Sequence, residues 1–280
     1  MNTLTITLTI TLISVCSFLH ALTIAYNDYD EYSNAEQVQQ ILDQFDDLSS
    51  VQKLTISNSL MNDTSWVKDL TKADELTLSH NFIQDVPCLE NTRIKKLNLS
   101  HNVIRRITNI HCSNIEYVDL SHNLISGDIV LSKQLTIKGI NLSFNKITSI
   151  VGIPNCPALR VINLSHNPLF SLPDFSMCKQ LETVVCSYTN IDSLKPIVQV
   201  KSIKAIHASS CPNLKDISYL FFKRDGSDIV ECVLPELSVF DVSLCFLDDK
   251  SRELVQDILN GHVRFPMYIN GTLVIPQRFN

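Results

Sequence analysis

The chain has 280 residues, and 45% of them are hydrophobic, so it can bury a sizeable core and is not disordered throughout. Its net charge is -6, from 23 Lys and Arg against 29 Asp and Glu. Residues 1–50 hold seven of the acidic residues and none of the basic ones, which leaves a nearly neutral body without a basic cluster. Because nucleic acid requires clustered Lys and Arg opposite its phosphates, we do not expect a nucleic-acid partner.

The first part of the chain has the pattern of a secretory leader. Residues 1–27 carry no charged side chain, and the mostly apolar stretch 8–19 precedes the small residues Ala21 and Ala25. We interpret residues 1–21 as a signal peptide, with cleavage after residue 21 or 25. An uncleaved membrane anchor is the alternative, since the uncharged run approaches bilayer-spanning length. The alternating threonines of this stretch would also suit a β-strand.

Residues 22–50 combine an acidic segment with a predicted helix. Residues 33–36 read Ser-Asn-Ala-Glu, the form of a helix capping box, and apolar residues from Val38 to Leu48 follow at helical spacing. We therefore predict a helix over about 35–48. It would cover the N-terminal end of the structure that follows.

An internal repeat dominates the rest of the chain. The five closest copies are LTLSHNFI (76–83), LNLSHNVI (97–104), VDLSHNLI (118–125), INLSFNKI (140–147) and INLSHNPL (162–169). Each has an asparagine at the same position, 21 or 22 residues from the next, and these are Asn81, Asn102, Asn123, Asn145 and Asn167. Looser copies extend the series to about nine units over residues 51–247. The pattern resembles the leucine-rich repeat family, whose unit reads L-x-x-L-x-L-x-x-N-x-L.

The resemblance implies an α/β solenoid of horseshoe shape with a concave parallel sheet of about nine short strands. The residues agree, because alternating apolar positions such as Leu97 and Leu99 predict one half-buried strand per unit. The amide of the repeat asparagine can satisfy backbone groups that a tight turn leaves unpaired. About eleven residues remain to return the chain, and several are prolines, so we expect 3-10 or extended segments on the convex side.

The C-terminal residues 248–280 are predicted to form a second cap, because a solenoid exposes apolar cross-sections at both ends. Residues 253–259 have the spacing of a short helix, and Asn270-Gly271 between two apolar runs indicates a β-hairpin turn. We expect a helix followed by a hairpin.

Cysteines and sequons fit an oxidising compartment, because eight cysteines remain once the leader is removed. Cys156 and Cys178 hold equivalent positions in neighbouring units, so we expect buried neighbours, with a disulfide between them as the alternative. Cys211 and Cys245 replace the turn asparagine, and a disulfide from Cys232 to either of them is the one we favour, although no connectivity is decided. The Asn-x-Ser/Thr glycosylation sequons are Asn62, Asn98, Asn141, Asn163 and Asn270.

Histidines form a column just before the turn asparagine, interrupted by Phe144, and they are His80, His101, His122 and His166. Side chains in one register of a parallel sheet point the same way about 4.8 Å apart, whereas zinc needs converging nitrogens at about 2.0–2.1 Å. We therefore expect a solvated edge of the sheet and no metal site. Sensing of acidic pH is the alternative role.

Catalytic motifs are missing from the sequence. It has no G-x-S-x-G, no H-E-x-x-H, no P-loop and no dinucleotide fingerprint, and only six glycines. We expect neither an enzyme nor a cofactor.

Outward strand positions are instead typical of a binding surface, since apolar and aromatic residues concentrate there beside basic ones. The candidate ligand-binding residues are Tyr117, Phe144, Arg160, Val161, Val185, Tyr188 and Lys204. The resemblance to extracellular leucine-rich repeat proteins of innate immunity and adhesion implies a secreted protein that binds a protein or pathogen-associated ligand through its concave face. The alternative is a structural, matrix or membrane-tethered adhesion protein that presents glycans, with membrane contact only if the leader is retained.

Overall fold

The computed structural model describes residues 7–9, 21–25, 34–43, 48–107, 114–130, 136–151, 153, 156–223, 229–263 and 266–274. The chain divides into two compact units. Unit 1 is Met1–Ser126, and unit 2 is Gly127–Asn280.

Unit 1 is organised around a parallel sheet. Its described strands are β1 (Thr7–Thr9), β2 (Ala21–Ala25), β3 (Lys53–Ser57), β4 (Glu75–Thr77), β5 (Lys96–Asn98) and β6 (Tyr117–Asp119). Strands β2 to β6 are parallel, each beside the one before it, and β1 pairs antiparallel with β2. Helix α1 (Asn34–Asp43) lies between β2 and β3 in the chain.

Unit 2 repeats this organisation. Its strands are β7 (Ser126–Val130), β8 (Gly139–Asn141), β9 (Lys146–Val151), β10 (Val161–Asn163), β11 (Thr183–Val185), β12 (Ala205–His207), β13 (Phe221–Lys223), β14 (Val230–Cys232), β15 (Val239–Asp241), β16 (Met267–Ile269) and β17 (Thr272–Val274). Strands β8, β10, β11, β12, β15 and β16 run parallel in that order, and β17 pairs antiparallel with β16. Two small sheets pair β13 with β14 and β7 with β9. Helix α2 (Asp249–Leu259) precedes the final hairpin.

Each repeat strand turns one side to the core. Leu97 of β5 and Ile162 of β10 are buried between two outward neighbours, and the residues two positions later, Leu99 and Leu164, are buried again. This period of two matches the pleat of a strand with one buried face. The predicted parallel solenoid is confirmed, and the unburied side chains of the strands form an outward face in each unit.

The connections between repeat strands are short. Within the described part of residues 51–247 they contain 3-10 turns such as Ser65–Asp69 and Lys195–Ile197, and no α-helix. Pro196 stands in the first turn of the second of these, where its missing N–H costs nothing. About eleven residues per connection leave no room for a full helix to form and return the chain.

The predicted helices are present with different bounds. Helix α1 begins at Asn34, one residue before the predicted range 35–48, and that prediction is wrong at its end, where Leu48–Ser50 forms a 3-10 turn. The serine of the predicted capping box is outside the described residues. Helix α2 begins after Asp248, whose carboxylate accepts a hydrogen bond from Ser251 N at 2.8 Å. This cap satisfies one of the backbone N–H groups that a helix start leaves unpaired.

The leader region contributes strand β2, which lies along β3 over five residue pairs, from Ala21 opposite Lys53 to Ala25 opposite Ser57. The strand that the alternating threonines suited is β1, which contains Thr7 and Thr9. Most of residues 1–21 lies outside the described residues, and their assignment to a signal peptide stays a prediction.

The repeat asparagines are buried and hold successive turns together. In unit 1, Asn102 Nδ2 donates to Leu78 O of the preceding repeat at 2.9 Å and to Leu99 O of its own repeat at 3.0 Å. Its Oδ1 accepts from Ile83 N at 3.0 Å. Asn167 makes the equivalent contacts in unit 2. The predicted role of this residue is confirmed, and we call the column of such residues the ladder.

Candidate functional site

The candidate binding residues are brought together mainly in unit 2. The register places Val161 of β10 beside Thr183 of β11 and Ala205 of β12, and Asn163 beside Val185. Phe144, Arg160, Tyr188 and Lys204 lie one to three residues outside these strands on the same repeats. We call the six unit 2 candidates the binding face; they are Phe144, Arg160, Val161, Val185, Tyr188 and Lys204.

The apolar members of the binding face are open to solvent. Val161 is 42% exposed, Phe144 is 43% exposed and Tyr188 is 53% exposed, while Val185 is half-buried. The Phe144 and Tyr188 rings stack on opposite sides of His166, with ring centroids 3.9 and 4.2 Å apart and planes within 12° and 13°. The rings therefore form an ordered aromatic edge, and their solvent exposure agrees with the sequence prediction that they lie outside the core.

The stacking follows from an unusual backbone conformation. The residue before each ladder position has a positive φ, for example 54° at Phe144, 53° at His166 and 57° at Tyr188. This left-handed conformation is uncommon for residues other than glycine and costs bulky ones roughly 1–2 kcal/mol. Because it recurs in every repeat, it aims the side chains the same way along the edge. Sequence spacing predicted the column but not this conformation.

The basic members of the binding face share one carboxylate. Glu182 Oε1 lies 3.3 Å from Lys204 Nζ and 4.0 Å from Arg160 Nη1, across three successive repeats. All three side chains are well exposed, so these ion pairs add little stability. They hold two cations beside the apolar residues and leave the cluster with a net positive charge.

Tyr117, the seventh candidate, belongs to unit 1, where the outward face is different. It is exposed on β6 beside Lys96 of β5. Charges there are internally paired, since Glu75 lies 3.1 Å from Lys53 Nζ and 2.7 Å from Lys96 Nζ. Hydrogen bonds from Lys96 and Lys53 lower the pKa of Glu75. Tyr117 therefore belongs to unit 1, and the binding face as defined above contains the other six candidates.

The histidine column of unit 1 is a continuous stack. His80, His101 and His122 have ring centroids 4.0 Å apart and nearly parallel planes, and their φ values lie between 52° and 55°. Partial burial, and then the neighbouring His80 and His122, lower the pKa of His101. Parallel rings cannot converge on one ion, and the described residues contain no group of three or more His, Cys, Asp or Glu placed to hold a metal.

Three of the sequon asparagines are part of the turn itself. The Oδ1 atoms of Asn98, Asn141 and Asn163 each accept a hydrogen bond from the backbone N–H of the serine two residues later, at 2.9 to 3.1 Å. Asn62 is fully exposed, while Asn270 is half-buried and accepts from Val242 N at 2.9 Å. The recurring N-x-S pattern therefore has a structural cause in the repeat.

The cysteines of the described residues are free thiols. Cys156 and Cys178 are fully buried, and burial raises their pKa to about 11 and about 12, so the interpretation as buried neighbours is confirmed and no disulfide joins them. The favoured disulfide from Cys232 is also absent. Its sulfur accepts from Leu234 N at 3.4 Å, whereas Cys211 and Cys245 donate to Cys186 O at 3.2 Å and to Ala208 O at 3.1 Å. The expectation failed because the register aligns those two ladder positions.

Sequence reasoning missed other exposed apolar residues at the same edge. Leu244 is 77% exposed with a φ of 59°, and it precedes Cys245 as Tyr188 precedes Thr189. Phe246 is also exposed. Extending the histidine column to the last repeat would have found Leu244, since it occupies the same repeat position.

A structure search matches solved leucine-rich repeat proteins with high probability. The chain has the leucine-rich repeat fold. Internalin InlF from Listeria monocytogenes aligns with a TM-score of 0.57 and 15% identity over 72% of the chain, and internalin C2 from the same organism with 0.53 and 19% over 79%. The leucine-rich repeat domain of APL1B aligns with 0.51 and 17% over 76%.

These alignments cover 58% of the internalin InlF chain, 82% of the internalin C2 chain and 73% of the APL1B domain. At such identities the likeness establishes the fold alone. No protein-family model and no curated protein sequence matches the chain. In the described part of the chain, no helix has the length and apolarity needed to cross a bilayer.

Proposed function

We propose that this leucine-rich repeat protein is a secreted recognition protein that binds a protein partner through the binding face of unit 2. The single observation that carries the proposal is the exposure of Val161, Phe144 and Tyr188 beside the cations Arg160 and Lys204. Exposed apolar side chains grouped in this way mark interaction sites on soluble proteins. Aromatic residues and arginine are also the residue types that dominate binding energy at interfaces.

The contrast with unit 1 supports the choice of surface. In unit 1 Lys53 and Lys96 share the carboxylate of Glu75 across three strands, much as Arg160 and Lys204 share Glu182 in unit 2, so the two faces differ in their apolar side chains rather than in charge. In unit 2 some outward strand positions are apolar or small, as at Val161, Val185 and Ala205. A partner that covers the binding face would bury apolar area without stripping water from many charges.

Secretion is the second part of the proposal, and it rests on the apolar leader and the sequons. A non-enzymatic role is the third, and the lack of a catalytic motif in the sequence supports it.

In the alternative function, glycans on Asn141 and Asn163 would cover the neighbouring Val161, and the chain would present sugars rather than bind a partner. The half-buried placement of both asparagines favours the binding role.

The test uses a double variant, Phe144→Ala with Tyr188→Ala. We expect a partner captured from extracellular fluid by the wild type to bind the variant at least tenfold more weakly, because two anchors worth about 1–2 kcal/mol each are removed. The melting temperature should change little, since neither ring fills a core cavity. Both measurements are made on the same purified proteins.

Phe170→Ala is the matched control, because Phe170 is an equally exposed aromatic residue three positions beyond the ladder asparagine Asn167. It should leave binding unchanged. Equal affinity of wild type and double variant would refute the assignment of the binding face. Capture that depends on enzymatic removal or addition of glycans, with no effect of the double variant, would favour the alternative function.

A further inference from the structure

Cys211 and Cys245 occupy the ladder position of neighbouring repeats in unit 2. His207 of β12 pairs with Asp241 of β15, and each cysteine follows its strand by four residues. Backbone hydrogen bonds continue this register as far as Ser210. Adjacent positions on paired strands lie about 4.8 Å apart, within the Cα separation of about 4.4–6.8 Å that disulfides require.

Both thiols are held in the same way. Each donates to a carbonyl of the preceding repeat, Cys211 to Cys186 O at 3.2 Å and Cys245 to Ala208 O at 3.1 Å. Asparagine makes the same type of bond elsewhere in the ladder. At these two ladder positions, two thiols that can be oxidised therefore replace asparagine amides, which cannot.

The surroundings of the two sulfurs differ. Cys245 is partly exposed, whereas Cys211 is buried. The neighbouring thiol of Cys245, assisted by Thr189, holds the pKa of Cys211 below its usual range, whereas the contact with Cys211 and burial raise the pKa of Cys245. The pair Cys156 and Cys178 provides the contrast, because burial raises the pKa of both thiols.

We propose that Cys211 and Cys245 are a redox-active dithiol, which low-molecular-weight disulfides such as oxidised glutathione convert into an intramolecular disulfide. Cys245, the partly exposed thiol, first passes its proton to the sulfur of Cys211 and attacks a sulfur of the oxidant as the thiolate, forming a mixed disulfide and releasing one glutathione thiolate. The thiolate of Cys211 then attacks Sγ of Cys245, breaks the mixed disulfide and releases the second. The two thiol protons pass to the two released thiolates, so one oxidant is reduced for each bond formed.

The product would cross-link two repeats that are separated by an insertion. The new bond closes a loop over residues 212–244, which contains the β13 and β14 hairpin. It also removes both S–H donors from the carbonyls of Cys186 and Ala208. Oxidation thus removes two hydrogen bonds of the ladder and forms one disulfide bond between the two repeats.

The test is a disulfide map of the folded full chain after incubation with oxidised glutathione, with acid quenching and alkylation of free thiols. Trypsin leaves Cys211 in peptide 205–215 but Cys232 and Cys245 together in peptide 225–250. Cleavage after Glu236 separates those two. We expect peptide 205–215 linked to 237–250, lighter than the sum of the two by two hydrogen atoms, and the loss of two free thiols per chain.

Single variants check the order of the steps. Cys211→Ser should accumulate glutathione on Cys245, because the second attack is lost. Cys245→Ser should leave Cys211 as a free thiol, since the buried sulfur does not reach the oxidant first. Neither readout requires the binding partner, so the outcome is independent of the proposed function.

The internal control is the buried pair, which trypsin separates into peptides 147–160 with Cys156 and 161–179 with Cys178. These peptides should stay unlinked under the same conditions. A map that links Cys211 to Cys232, or that leaves Cys211 and Cys245 reduced while urea-unfolded protein oxidises, would overturn the proposal. Equal oxidation of Cys156 with Cys178 would also overturn it, because any two cysteines in neighbouring repeats would then form a disulfide, whatever their exposure.

Discussion

At the residue scale, one backbone position explains most of the unusual side chains. The residue before the ladder adopts a positive φ in both units, and histidine occupies it at His80, His101, His122 and His166. Asparagine, aspartate and histidine tolerate this conformation better than most residues. The histidine column is thus a consequence of turn geometry, and the stacking of its rings follows from the spacing of the strands.

A pH dependence of stability is expected from His101. Its pKa is below the ordinary value of 6.5 because burial and the neighbouring His80 and His122 disfavour the charged ring. The unfolded chain therefore binds a proton more readily than the folded chain. Stability is fully present above about pH 6.5 and falls as the pH drops below that value toward the folded pKa.

His101→Asn should flatten this dependence, since asparagine accepts the same φ but does not titrate. The measurement is the free energy of unfolding by urea at several pH values between about 7.5 and 5. Identical pH profiles for the wild type and the variant would contradict the expectation.

Glycan occupancy should differ between sequons, because their asparagines differ in exposure and hydrogen bonding. Asn62 is exposed, whereas Asn98, Asn141 and Asn163 are half-buried turn residues. The sequence places Asn62 in a connection and Asn270 in a hairpin turn, which predicts fuller occupancy at both than at the strand sequons. The contact of Asn270 with Val242 N leads us to expect the fullest occupancy at Asn62 alone. Glycopeptide mapping of secreted protein measures this, and an empty Asn62 beside filled strand sites would contradict it.

At the element scale, the ladder holds neighbouring repeats together more specifically than their apolar contacts do. The amide of Asn102 donates to carbonyls of two repeats and accepts from Ile83 N, all in a buried setting. Buried backbone groups that lose such a partner cost free energy, and no water can replace an amide inside the turn.

Asn102→Ala should therefore lower the free energy of unfolding by about 2–4 kcal/mol, because several buried backbone groups lose their partners at once. Asn213→Ala is the control, since Asn213 is exposed and donates a single hydrogen bond to Asn190 O at 3.0 Å. Its effect should stay below about 1 kcal/mol. Equal losses for the two variants would show that the ladder is not specially important.

At the scale of the whole molecule, the two units share one repeat but present different outward faces. In both units two cations share one carboxylate, and in unit 2 the exposed apolar groups Phe144, Val161 and Tyr188 lie beside them. The start of the chain also matters at this scale, because β2 covers the edge of β3 through five residue pairs. Unpaired edge strands invite association with other chains.

The mature protein is therefore expected to begin at Leu22 rather than at Tyr26. Cleavage after Ala21 leaves most of β2 in place. Cleavage after Ala25 removes β2 and leaves the backbone edge of β3 without its partner strand. Terminal sequencing of secreted protein decides between these starts. Intact protein that begins at Met1 and is recovered from membranes would refute the leader assignment and support the anchor.

The sequence by itself determined the solenoid, because a fixed period of alternating apolar residues with a turn asparagine has few other ways to bury its core. It also placed Phe144 and Tyr188 outside that core. These features depend on local periodicity, and the amino-acid sequence contains that periodicity in full.

Only the tertiary structure decided which residues meet across repeats. The stacking of His101 between two histidines and the ion pairs of Glu182 depend on strand register, and the alignment of Cys211 with Cys245 depends on register across the insertion between β12 and β15. Register is set by the packing of the whole core, since a one-residue slip reverses every side chain. For that reason the sequence favoured Cys232 as a disulfide partner, and the fold aligned Cys211 with Cys245 instead.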